Sequence, residues 1–400
     1  LKRFKSQFEA HKDCYDYIFA PSINQKNSNH DMKKITLILI LLTTALSLSI
    51  AQNEAIFTFE VDGKIYDMQE RMAQENAQGV SLYAMKNDGA DTMMQWGYRD
   101  VENQLKVEEN TLFHVGGMTG ALTNFAVLRL VNDGKIDLDT DVNEYMTSWQ
   151  LPESKFTKTQ PVTVRDLLLQ KRGFKTISKP GGYVPGSKLP NLIQMLNGEA
   201  PSHEQPVKLV SNQNKSGNSS FYNTMILHQM LEDVYGKPFV DIMNEEVLQA
   251  LNMTESTFSL PLTEEEASRA AFGYDDKGNM IEGGRWLYPE LAAAGLWCTP
   301  KDYALFVNHI IQAANGQDNR YLSQELAQAS INPEEGYRAL ILLKNDGYLY
   351  WGGASQGFYT QFEANVEEGW IIVVFINTHL RWKLNSEIRH RAKQLVAGKM

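Results

Sequence analysis

Apolar residues at Ile65, Met68 and Met72 recur at helical spacing and predict an amphipathic helix over residues 61–77. Two runs of strand character follow, 80–86 and 92–98, joined across Asn87-Asp88-Gly89, where Asp-Gly suits the backbone of a tight hairpin. From about Thr119 the period returns to that of a helix, with Leu122, Phe125, Ala126, Leu128 and Leu130 turned inward and Gly134 as its stop.

The middle of the chain reads as helices separated by long polar loops. Thr163-Val164-Arg165-Asp166 has the form of a capping box ahead of Leu167 and Leu168. A helix over 223–234 stops at Gly236, and Pro238 starts another that runs through Leu248. Residues 179–218, rich in Pro, Gly, Ser and Asn, are expected to be loop.

Strand patterns return towards the end. Thr299-Pro300-Lys301-Asp302 places an N-cap, a proline at the first helical position and an acidic third residue ahead of Phe306, Val307, Ile310 and Ile311. Residues 339–344, 348–352, 359–365 and 370–376 then alternate or run apolar around Asn345-Asp346-Gly347 and Glu367-Glu368-Gly369, which predicts an antiparallel meander. A last helix covers about 386–396. The pattern as a whole gives an α/β (α+β) fold: an antiparallel sheet built from both termini, flanked by helices, with a mainly helical region inserted. On this reading 52–135 and 296–400 form the sheet subdomain and 136–295 the helical one.

Composition trims the chain that has to be explained. Met32-Lys33-Lys34, the apolar run 35–42 and the exit Ser49-Ile50-Ala51 have the three parts of a secretory signal peptide, so residues 32–51 are assigned to one, cleaved after Ala51. Thr36, Thr43, Thr44 and Ser47 interrupt the segment and argue against a membrane anchor, leaving no stable membrane span in the mature chain. Residues 1–31, upstream of that signal, show neither apolar period and are expected to be leader sequence. Removing 1–51 takes away seven Lys/Arg and four Asp/Glu, which moves the formal charge from −10 to −13. An acidic exported protein, periplasmic or secreted, is a poor nucleic-acid binder. Of the two cysteines only Cys298 remains, which excludes an intrachain disulfide.

Several stretches together resemble a known family. Leu112-Phe113-His114-Val115-Gly116-Gly117-Met118-Thr119 and Asp133-Gly134-Lys135-Ile136-Asp137-Leu138-Asp139 are similar to the serine β-lactamase and penicillin-binding-protein superfamily, in the branch of class C β-lactamases, D-amino-acid peptidases and related esterases. The likeness continues through residues 162–168, Gly173-Phe174, 231–239, 251–258, 288–297 and 352–358, in family order over about 300 residues. It implies the β-lactamase/transpeptidase-like fold.

The chemistry that the resemblance implies needs three parts, and this sequence departs from each. A serine at a helix N-terminus attacks an acyl carbonyl, and a lysine one turn on helps to take its proton. Gly117 and Gly120 stand there. A tyrosine or serine of the helical region shuttles the proton, and counting back from Leu231 puts that position at Ser219, with Tyr222 three residues on as a packed aromatic or a stand-in. A basic residue on a late strand holds the substrate, and Trp351 takes its place. The backbone part of the family's site, an oxyanion hole of two N–H groups, maps to Gly117 and Ala354. Thr119 matches a structural threonine of the family, Ser355 reads as a polar wall, and His114 and His228 belong to no metal spacing.

The sequence therefore points to an exported, catalytically inactive member of the superfamily that binds a peptide, a muropeptide or an envelope protein through Gly117, Ala354, Ser219, Tyr222, Trp351 and Ser355. Two alternatives stand beside it: an active serine hydrolase of β-lactamase, D-aminopeptidase or esterase type with a relocated nucleophile (Tyr222, Ser219 or Ser355), and a structural scaffold. No cofactor and no metal is assigned.

Overall fold

Strand β1 (Gly79–Lys86) and strand β2 (Asp91–Asp100) pair antiparallel, Leu82 opposite Met94, as the alternating pattern predicts. The computed structural model describes residues 57–86, 89–175, 182–213, 220–334, 336 and 338–396, nearly all within the unit Phe59–Met400. The leader and signal-peptide assignments, the hairpin tip Asn87-Asp88 and Ser219 lie outside the described residues.

Five further strands complete a seven-stranded antiparallel sheet: β3 (Leu105–Lys106), β4 (Leu343–Asn345), β5 (Tyr348–Ser355), β6 (Phe358–Asn365) and β7 (Trp370–Ile376), in the order β4-β5-β6-β7-β1-β2-β3. The late meander thus joins the early hairpin through β7 and β1, Val373 opposite Tyr83. Every residue of β7 is buried, so this strand is covered on both faces and reads as a continuous apolar run instead of an alternation.

Five helices matter for the site and its support: α1 (Met68–Gln74), α2 (Thr119–Asn132), α3 (Phe221–Tyr235), α4 (Pro300–Ala314) and α5 (Trp382–Val396). Both α4 and α5 pack on β7. Thr299 caps α4 by accepting from Asp302 N at 3.2 Å, and Gly236, in the left-handed region at φ 65, closes α3. Helix α2 is buried at every position from Thr119 to Leu128, which makes it the central helix.

Four expectations are corrected. Residues 61–77 are not one helix: Asp62 and Gly63 both take positive φ and turn the chain between the arms Thr58–Val61 and Lys64–Asp67 of a small hairpin. Helix α1 starts only after Asp67, which forms a capping box with Glu70, and Ile65 is left 74% exposed. Within 179–218 the described residues hold a helix, Leu192–Asn197, capped reciprocally by Asn191 and Gln194, and a strand, Leu209–Ser211, paired with Gly173–Phe174. Residues 339–342 are buried but not strand, because Leu340 N and Leu342 N donate to Ala329 O (3.2 Å) and Ser330 O (3.0 Å) and so satisfy the end of helix Gln324–Ile331. Helix α5 begins at Trp382 rather than near 386.

Candidate functional site

The site is built where the end of β5 meets the start of α2. A 3-10 turn, Gly116–Met118, leads into α2, and the strand comes so close to it that two glycines are obligatory. A Cβ on Gly353 would lie 1.9 Å from Val115 O, and one on Gly116, already at φ +52, would lie 2.7 Å from Ala354 O. Thr360 Oγ1 is 3.1 Å from Val115 O and ties the next strand to the same turn. Thr119 Oγ1 donates to Gly116 O at 2.7 Å and accepts from Leu296 N at 3.3 Å, so this hydroxyl is structural. The wall is therefore main chain held against main chain.

Beside this wall opens a cavity of about 480 Å³. Gly117, Gly120, Trp351, Ala354 and Ser355 all line it, so the structure brings five of the residues singled out in the sequence to one place. Neither Gly117 nor Gly120 is forced to be glycine. Neither takes positive φ; a Cβ on Gly117 would meet only Gly352 O at 3.9 Å, and one on Gly120 only Trp351 Cζ2 at 3.8 Å and Thr224 Oγ1 at 4.0 Å. The space that side chains at 117 and 120 would fill belongs to the open cavity. Trp351 forms part of its wall and does not plug it.

Tyr222 is not at the cavity. It is 1% exposed, and its hydroxyl donates to Gln205 O, so the ring packs beneath the start of α3. Burial raises its pKa to about 12, so it stays a neutral donor. Its neighbours Ser220 and Phe221 reach the cavity instead, together with Thr224 one turn later.

Sequence reasoning missed the partner of Ser355. Its Oγ shares a hydrogen bond of 2.8 Å with His114 Nδ1, and both residues are buried, at 4% and 2% exposure. The imidazole stacks on Tyr288 at 4.4 Å between centroids and meets the edge of Trp297 at 5.2 Å. Burial pushes the His114 pKa down to about 3, with the Ala294 carbonyl opposing the shift in part, so the ring is neutral at physiological pH. The pair is separated by 241 residues: His114 is held on the short strand Phe113–His114, opposite Trp297, and Ser355 ends β5. A second histidine was also missed: His379 lines the cavity, and its Nδ1 donates to Ser355 O at 3.1 Å.

None of the cavity's described lining residues is Asp, Glu, Lys or Arg, and His379 is the one titratable side chain among them. Asn124, Gln170 and Gln356 supply amides, and Asn124 Nδ2 is fixed by Leu340 O at 2.8 Å. A guanidinium, that of Arg338, lies 5.6 Å from the Trp351 ring. Among the described residues no three His, Cys, Asp or Glu side chains form a group able to hold a metal ion, and no helix is long and apolar enough to cross a membrane.

The mixed fold, the antiparallel sheet closed by strands from both ends of the chain and the helix opening onto a cleft beside a late strand define the class, and comparison with known proteins agrees. The Beta-lactamase family model matches residues 67–396, and the chain belongs to that family. Protein flp of Staphylococcus aureus (strain N315) is 22% identical over 346 residues, covering 80% of this chain and 64% of the relative; the chain thus spans less than two thirds of that protein. Among solved structures, D-amino acid amidase from Ochrobactrum anthropi SV3, complexed with D-phenylalanine, superposes with a TM-score of 0.67 at 17% identity, covering 82% of this chain and 97% of the amidase. A class C beta-lactamase superposes with a TM-score of 0.60 at 17% identity, covering 82% and 93%.

Proposed function

We propose that this chain is an exported, non-acylating member of the family, whose cavity at Gly117 holds a carbonyl- or carboxylate-bearing fragment of a peptide or of the cell wall without cleaving it. The observation that carries this reading is that Gly117 and Gly120 face an open cavity of about 480 Å³ in which side chains would fit, so the vacancy offers room for a ligand. The N–H groups of Gly117 and Ala354 are the proposed carbonyl contacts, and the helix start at Gly117 favours negative charge there. Export rests on the signal-like segment 32–51. The sheet subdomain 52–135 and 296–400 with a helical insert 136–295 is the proposed organisation, supported by the sharing of one sheet between β1–β3 and β4–β7.

One observation favours a second reading, an active hydrolase with a relocated nucleophile: the 2.8 Å contact of Ser355 with His114. Against it stands the burial that lowers His114 to about 3, since an imidazole so reluctant to take a proton is a weak general base at neutral pH. Intact-mass measurement after incubation with a fluorophosphonate probe and with a penicillin decides between the two. No adduct is expected, and an adduct mapped to a single residue would overturn the silent reading. Thermal shift with D-amino-acid dipeptides and muropeptides is then expected to be positive. A protein that neither labels nor shifts is the scaffold, whose partner a pull-down from envelope extract would capture.

A further inference from the structure

We propose that a second cavity, bordered by His114 and lined by the side chain of Arg285, binds a small aromatic carboxylate. It measures about 210 Å³ and shares no described lining residue with the cavity at Gly117, so it does not depend on that cavity being a ligand site.

Five rings line it, those of His114, Phe272, Trp286, Tyr288 and Trp297. Folding normally seals such apolar surface away from water. Here Phe272, Trp286, Leu262 and Leu291, all in the lining, remain only half-buried. Apolar walls with one convergent polar group are the usual make-up of a small-molecule site. A cavity of about 150 Å³ takes up a benzene ring, so this one has room for a single ring and a short acid arm.

The polar group is Arg285. Among the described lining residues it is the one side chain charged at neutral pH, because burial keeps His114 neutral. Its hydrogen bonds fix the guanidinium without neutralising it. Nε donates to Ala271 O at 3.1 Å, Nη2 donates to Ala270 O, and Cζ lies 3.9 Å from the centroid of the Phe272 ring. Among the described residues no carboxylate forms an ion pair with it, and Nη1, which has no acceptor in the protein, keeps accessible surface. Burial draws its pKa down to about 10, with Asp100 opposing in part from longer range, so the cation persists at neutral pH. The Asp100 carboxylate is itself engaged by Asn103, through N at 3.1 Å and Nδ2 at 2.7 Å.

A guanidinium held by two carbonyls and left open at Nη1 presents the planar donor edge that a carboxylate matches. One fixed cation pairs with one negative charge. A monocarboxylate therefore fits, whereas a phosphate dianion would bring a second, unpaired charge among five rings.

The test is calorimetry on the full chain with 3-phenylpropanoate, 3-phenylpropanamide and propanoate. The aromatic acid is expected to bind at least about tenfold more tightly than the amide, which lacks the charge, and than propanoate, which lacks the ring. In Arg285→Gln the acid is expected to fall to the affinity of the amide. Ala267→Phe, on the helix Glu264–Arg269, sets a ring into the cavity and leaves Arg285 and its two carbonyls in place. It is expected to weaken the acid at least about tenfold, and it decides alone where Arg285→Gln fails to fold. Equal binding of acid and amide, or of 3-phenylpropanoate and propanoate, overturns the class of ligand. Binding of the acid that is unchanged in Ala267→Phe lies elsewhere, as in the cavity at Gly117, and overturns this site. Absence of binding by all three compounds overturns the proposal as a whole.

Discussion

Ser355 and His114 stand 2.8 Å apart through Oγ and Nδ1, and the imidazole of this pair is enclosed by Tyr288, Trp297 and Phe358. The same contact looks like nucleophilic chemistry by its atoms and like core packing by its surroundings. Burial decides the balance, because a ring that stays neutral down to about pH 3 holds Ser355 in place without readily accepting its proton.

That imidazole makes stability depend on pH with a definite sign. Its pKa falls from 6.5 to about 3 on folding, so the unfolded chain takes up a proton between those values and the folded chain does not. Its contribution is fully present above pH 6.5 and is lost as pH falls towards 3, amounting to about 2 kcal/mol at pH 5. Thermal melts from pH 7.5 to 4.5 are expected to show a smaller acid-induced decrease in His114→Gln than in the unsubstituted protein. Parallel pH profiles would remove His114 as the cause.

Gly117→Ser combined with Gly120→Lys is expected to fold and to remain inactive. Both positions have ordinary room for a Cβ, and replacing glycine near a helix start adds up to about 1 kcal/mol per site. Turnover is expected to stay absent because Trp351, which the family resemblance puts at the basic position of the late strand, brings no charge to the cavity, and the hydroxyl of Tyr222 is bound to Gln205 O, away from it. Measurable hydrolysis of a chromogenic cephalosporin by the double variant would mean that the rest of the machinery is intact.

Two glycines a few residues apart in space should respond in opposite ways to alanine. Gly353→Ala forces a methyl to within 1.9 Å of Val115 O and is expected to destabilise by at least about 3 kcal/mol, or to prevent soluble expression. Gly117→Ala meets its first neighbour at 3.9 Å and is expected to change stability by no more than about 1 kcal/mol. Chemical denaturation of the two variants compares them directly.

Tyr222→Phe separates a packed tyrosine from a functional one. Loss of the bond to Gln205 O is expected to lower stability by about 1 kcal/mol and to leave ligand affinity and probe labelling unchanged. A loss of affinity with stability intact would return Tyr222 to the site.

How far the chain could be read from its letters depends on the range of the interactions involved. The caps at Thr163 and Thr299 and the stop at Gly236 are local, so the helices they bound were legible. Asp62-Gly63 is equally local, but the helical spacing of Ile65, Met68 and Met72 outweighed it, although Ile65 belongs to a strand and faces solvent. The family words singled out Gly117, Gly120, Trp351, Ala354 and Ser355, and these five line one cavity. Counting along the chain located Tyr222 but said nothing of where its hydroxyl points, and His114 and His379 reach Ser355 only through tertiary contacts across 241 and 24 residues.

The join between Gly353 and Val115 has a consequence for how such a protein ages. Because this side of the cleft is shaped by carbonyls and amides pressed together at Gly353 and Gly116, its contour does not depend on which side chains face the interior. Mutations can strip the chemistry from this chamber one residue at a time and still leave its geometry intact. A lineage that abandons a reaction on such a scaffold inherits a vacant room with standing walls, open to a new tenant.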